Sequence, residues 1–72
     1  MDEAQLNYLD EIAADARNQL DDRVSVLSTG ERLYVALAAN RLDLMTDYTI
    51  AQALARLDED DVAELISRWQ YA

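Results

Sequence analysis

Hydrophobic positions along this chain recur mainly at helical spacing. Leu6, Leu9, Ile12, Ala13, Ala16 and Leu20 fall on one stripe at i, i+3 and i+4, while Tyr8, Asp10, Glu11, Asp15 and Arg17 fall off it. The pattern predicts an amphipathic helix over about 3–20 with an acidic outer face. Asp2 and Glu3 stand at its N-terminus, where carboxylates suit the helix dipole. The period breaks at Asp21-Asp22-Arg23, an acidic pair that ends the helix against its own dipole. Val24, Val26 and Leu27 then read as an extended connection tucked onto the core.

Ser28-Thr29-Gly30-Glu31 has the S/T-x-x-E form of a capping box and predicts the start of a second helix, about 29–44. From Leu33 to Ala39 this helix carries no charge, and its apolar residues cover nearly the whole circumference. A helix apolar all round is buried on several sides, so it is expected to be the central post of the fold. Thr49 to Gln52 repeats the capping-box spacing and opens a third helix, 49–57, with Ile50, Leu54 and Leu57 as its apolar side. Asp58 is placed to cap a fourth helix, 59–71. Glu59, Asp60 and Asp61 fill its first turn, and Val62, Leu65, Ile66 and Trp69 form its stripe. The expected class is all-α: a single domain, a compact bundle of four helices with short connections and the second helix at its centre.

Charge changes this picture. Fifteen acidic residues face six basic ones, all arginine, for a net charge of −9 over 72 residues. Residues 1–22 carry a net −6 and residues 58–72 a net −4, while 30–57 are neutral. The excess therefore belongs to the first helix and the start of the last. Part of it is helix-terminus chemistry. The remainder, Asp10, Glu11 and Asp15 on the first helix with Asp21 and Asp22 at its end, is the candidate partner-facing surface.

The absences narrow the chemistry. There is no His, Cys, Lys or Pro, so neither a Ser-His-Asp or Cys-His arrangement nor a Schiff-base lysine can be assembled from this chain alone, and no imidazole or thiolate can ligate a metal. The run Asp58 to Asp61 lacks the glycine and the twelfth-position glutamate of a calcium loop. Residues 50–66 loosely echo a helix-turn-helix, but the second helix would open on four carboxylates, which phosphates repel. The expectation is no enzyme, cofactor or metal, and no direct nucleic-acid binding. No apolar stretch approaches the length of a membrane span, and the acidic start Met1-Asp2-Glu3 opposes a targeting peptide. The expected location is the cytoplasm.

What remains is protein interaction. A small acidic module (adaptor, regulator or inhibitor) would dock its first helix on a basic partner, with Tyr8, Tyr48 and Tyr71 as contact candidates and Tyr34 and Trp69 kept for the core. Two alternatives compete. One is a structural subunit or homodimer, associating through the second helix or the Trp69 stripe because so small a core is thin. The other is a nucleic-acid mimic using Asp2, Glu3, Asp10, Asp21 and Asp22 as a phosphate-like row, which Arg17 interrupts.

Overall fold

A computed structural model describes residues 1–72. The chain is all-helical, with α1 (Glu3–Arg17), α2 (Thr29–Ala38), α3 (Ile50–Arg56) and α4 (Glu59–Trp69), and single 3-10 turns at Val24–Val26 and Leu42–Met45. No helix is long and apolar enough to cross a membrane.

The helix starts follow the sequence closely. Asp2 caps α1, its side chain accepting the Gln5 N–H at 2.8 Å. Both capping boxes form: Ser28 with Glu31 on α2, and Thr49 with Gln52 on α3. The Glu31 carboxyl is held below its ordinary range, first by the Ser28 backbone N–H and then by the Gln5 amide. Asp58 occupies the cap position of α4, but its side chain accepts no capping hydrogen bond.

The helix ends depart from expectation. The first helix stops at Arg17 rather than near residue 20, because Gln19 turns left-handed at φ 64°. The N–H of Leu20 then bonds to the Asp15 carbonyl and that of Gln19 to the Ala16 carbonyl, the paired bonds of a Schellman motif. Leu20 is carried off the stripe and lies exposed. Asn40 does the same to α2 at φ 54°, with Arg41 and Asn40 N–H groups returning to Ala36 and Leu37. The second helix therefore ends at Ala38, not 44. The connection after α1 is no extended strand: Val24 is buried, but Val26 stands in solvent. Nor are all connections short, since residues 18–28 and 39–49 are each bridged by a 3-10 turn. The fourth helix ends at Trp69, two residues before the expected 71.

The length of the first connection has a geometric cause. Gln5 bonds to Glu31 at 3.0 Å, Tyr34 to Asp10 at 2.8 Å, and Arg41 to the Ala16 carbonyl at 2.7 Å. Positions advance together along α1 and α2, so the two helices run in the same direction. The chain must travel back along α1, about 22 Å at 1.5 Å per residue, before α2 can begin. The α4 helix shares that direction: the Met1 ammonium meets Asp61 at its start, and Asp10 meets Arg68 and Trp69 at its end.

The α2 helix is the central post, as its all-round apolarity predicts. Tyr34, Val35, Ala38 and Ala39 pack with α1, Val24 and Leu65 in one cluster, while Leu33 and Ala36 pack with Met45 and Ala53 in another. Most of its faces are covered within the chain, with Leu37 left half-buried. The α3 helix sits differently from expectation. Ala53 and Leu57 face inward, while Ile50 and Leu54 remain 49% and 37% exposed. The 3-10 turn ahead of α3 claims the neighbouring face of α2 through Met45, leaving room there only for an alanine.

Gly30, the single glycine, lies inside α2, where an added Cβ would meet nothing within 4 Å. Gln19 meanwhile holds a left-handed conformation that costs a side-chain-bearing residue about 1 kcal/mol. Gly30→Ala is expected to raise stability by about 0.5–1 kcal/mol, and Gln19→Gly to raise it also. Ser28→Ala should lower stability by about 1 kcal/mol. Urea unfolding midpoints for the three variants check all three signs.

Candidate functional site

The sequence points to the acids of α1, and the structure sorts them by what they touch. Asp10 is taken up by the fold. Its Oδ1 accepts from the Tyr34 hydroxyl and the Trp69 indole N–H, both at 2.8 Å, and its Oδ2 accepts from Arg68 at 3.0 Å. Arg68 also bonds Asn7 and Glu64. Three helices thus converge on one carboxylate. Asp15 pairs with Arg23 at 2.7 Å, and the Arg23 guanidinium lies 5.7 Å from the centre of the Tyr8 ring. Asp21 takes both arms of Arg41, which also grips Asp43 and the Ala16 carbonyl. Arg41 therefore offsets the acidic pair at the end of α1 and caps its C-terminus at once. These carboxylates hold the guanidinium charge more firmly than usual, and Arg41 in turn keeps Asp43 below its ordinary range.

Of the candidate acids, Glu11 and Asp22 remain exposed and form no ion pair. Tyr71 is 92% exposed, and Tyr8 is exposed beneath its arginine. Tyr48 is half-buried against Ala53, Met45 and their neighbours. The row along α1 that a nucleic-acid mimic needs is broken, since Asp10 and Asp21 are tied to arginines.

Most of the other acids without arginine partners gather elsewhere. The α-amino group of Met1 reaches Asp61 at 3.0 Å and joins the start of α1 to the start of α4. The fields of Asp58 and Asp2 also reach that ammonium and help raise its pKa, the bond to Asp61 being the largest cause. Beside it runs an open groove of about 500 Å³, lined by Glu3, Asp60 and Asp61 and, on the same wall, by Glu64 with its partner Arg68. Glu31 stands at the same end, bonded to Gln5. Asp61 is the one buried charged residue: it stands four positions before Leu65 on the inward side of α4, whereas Asp60 faces solvent. That spacing is open to reading in the sequence, but the Met1 ammonium that meets Asp61 there is not. Nowhere do three acidic side chains come together as metal ligands.

No known family model, curated protein or solved structure matches the chain.

Burial, then the bond to Asp10 and the charge of Asp10, push the Tyr34 phenol well above its ordinary value of 10.0. Its contribution to stability is complete below that ordinary value and is lost as the pH rises through the folded one. Spectrophotometric titration should show Tyr34 as the last of four tyrosines to ionise, with the alkaline loss of stability reduced in Tyr34→Phe. Asp10→Asn removes the charge that three donors share and is expected to cost roughly 2–3 kcal/mol in denaturant unfolding. A loss below about 0.5 kcal/mol would show that the three donors are equally well served by water.

Proposed function

We propose that the chain is a small acidic docking module that receives a basic surface of a partner protein at the end where α1, α2 and α4 begin. One observation carries this reading. Asp2, Glu3, Glu31, Asp58, Glu59, Asp60 and Asp61 stand at the N-termini of three helices that run in the same direction. Each such terminus supplies roughly half a positive charge, and Met1 supplies one more. Seven carboxylates against these terms leave an excess of roughly four to five negative charges at one end.

Local helix chemistry therefore accounts for part of the cluster and not for the whole. Acids that served only to keep the chain dispersed would be spread over its surface. The arginines do not cancel the excess either. Arg23, Arg32, Arg41 and Arg68 are held in ion pairs within the fold. Arg17 and Arg56, which have none, lie at the C-terminal ends of α1 and α3. Such a field steers a cationic surface toward one pole and orients it on arrival. The first helix contributes through its beginning, at Asp2 and Glu3, rather than through the acids of its middle.

A short arginine-rich peptide titrated into isotopically labelled protein should shift amide signals around Met1 to Leu6 and Asp58 to Glu64. Glu3→Gln combined with Asp60→Asn should weaken that binding several-fold, and ~0.5 M salt should nearly abolish it. Glu11→Gln should leave it unchanged. Shifts scattered evenly over the surface, or binding indifferent to salt, would overturn the reading.

A further inference from the structure

The far end of the molecule has the opposite character. An open groove of about 490 Å³ runs between the C-terminal parts of α2 and α4, walled by Leu37, Leu65, Ile66 and Trp69 with Arg17 on its edge. Ile66 is 57% exposed although it belongs to the apolar stripe of α4. Fifteen of the chain's 72 residues are acidic, yet no acidic side chain lines this groove. Arg17 has no ion-pair partner, while every other arginine on these three helices and their connections has one.

We propose that this groove receives an amphipathic helix of another protein, which lays apolar side chains against Ile66 and Trp69 and sets a carboxylate beside Arg17. Helix-in-groove docking needs a few apolar anchors at i and i+4 spacing rather than a broad flat face. The area suits that mode. A standard stable interface takes about 800 Å² from each partner, close to a fifth of this molecule's 4449 Å² surface, and a nine-residue groove supplies only part of it. Charge selects the occupant. Over the rest of the surface an acidic partner meets carboxylates. Here it meets a free guanidinium and no acidic side chain. A second copy of this chain, itself at −9, would bring Arg17 against Arg17 across a two-fold axis.

Two synthetic helical peptides with the same leucine stripe test the proposal, one flanked by glutamates and the other by lysines. Trp69 is the only tryptophan and reports directly from the groove wall. The glutamate peptide should change its emission and shift the amides of Leu37, Leu65 and Ile66, despite the net repulsion between two acidic molecules. Arg17→Glu should weaken that peptide about fivefold, and Ile66→Asp should abolish its effect. Both sites are exposed, and unchanged melting temperatures confirm that the variants fold. Three outcomes overturn the proposal: the lysine peptide fills the groove instead; Arg17→Glu has no effect; or sedimentation shows a dimer whose contact is this groove. All are read at the end away from Glu3 and Asp60, so they leave the docking of basic partners to be judged by its own titration.

Discussion

The arrangement of three helices depends on the Asp10 carboxylate. It stands on α1, takes a phenol from α2, and takes an indole N–H and a guanidinium from α4. Tyr34 is fully buried, and its hydroxyl requires an acceptor wherever the core places it. Supplying that acceptor as a charge fixes the level at which α2 lies against α1. The same oxygens fix α4 through Arg68 and Trp69. No buried polar side-chain atom is left without a partner. A small core of leucine, valine and alanine could slide by a turn at modest cost, whereas a shared carboxylate cannot.

The shared direction of α1, α2 and α4, shown by the successive contacts along them, has an electrostatic cost. Antiparallel neighbours cancel their dipoles, but helices that start at one end add them. The distribution of charge along the chain answers this. Acids occupy the three starts, and Arg17, Arg41 and Arg68 stand at or just beyond the three ends. What looks from the sequence like an acidic first helix and an acidic last helix is in space one acidic pole where three helices begin, with Arg68 reaching back toward it from the end of α4.

Much of this architecture was legible in residue order. Capping boxes are local, so Ser28 with Glu31 and Thr49 with Gln52 identified two helix starts correctly. The uncharged run of α2 identified the central element, because no other place in so small a molecule hides every face of a helix. Helix ends were less legible, since the left-handed residues that stop α1 and α2 are Gln19 and Asn40, while the only glycine lies within α2. The role of the acids was least legible of all. Asp10, Asp15 and Asp21 look solvent-facing on a helical wheel, yet each meets a group brought from elsewhere in the chain: Arg68 with Trp69, Arg23, and Arg41. Pairing across the fold carries no periodic signal. Glu3 and Asp60 show the converse. They read as ordinary first-turn acids, and only the meeting of two helix starts makes them one surface.

Asp10 and Trp69 stand 59 positions apart in a chain of 72. Their bond closes a loop that contains most of the molecule. Loop-closure entropy rises slowly with length, so the size of this loop adds little to its cost. The consequence lies in the order of assembly. Turns and caps gain their hydrogen bonds within a few residues, but the Asp10 carboxylate is not fully served until the last helix arrives. A chain still missing α4 leaves a charged acceptor short of two of its three donors. Partial structures are thereby penalised, and this small domain gains all-or-none folding from a bond between its two extremities.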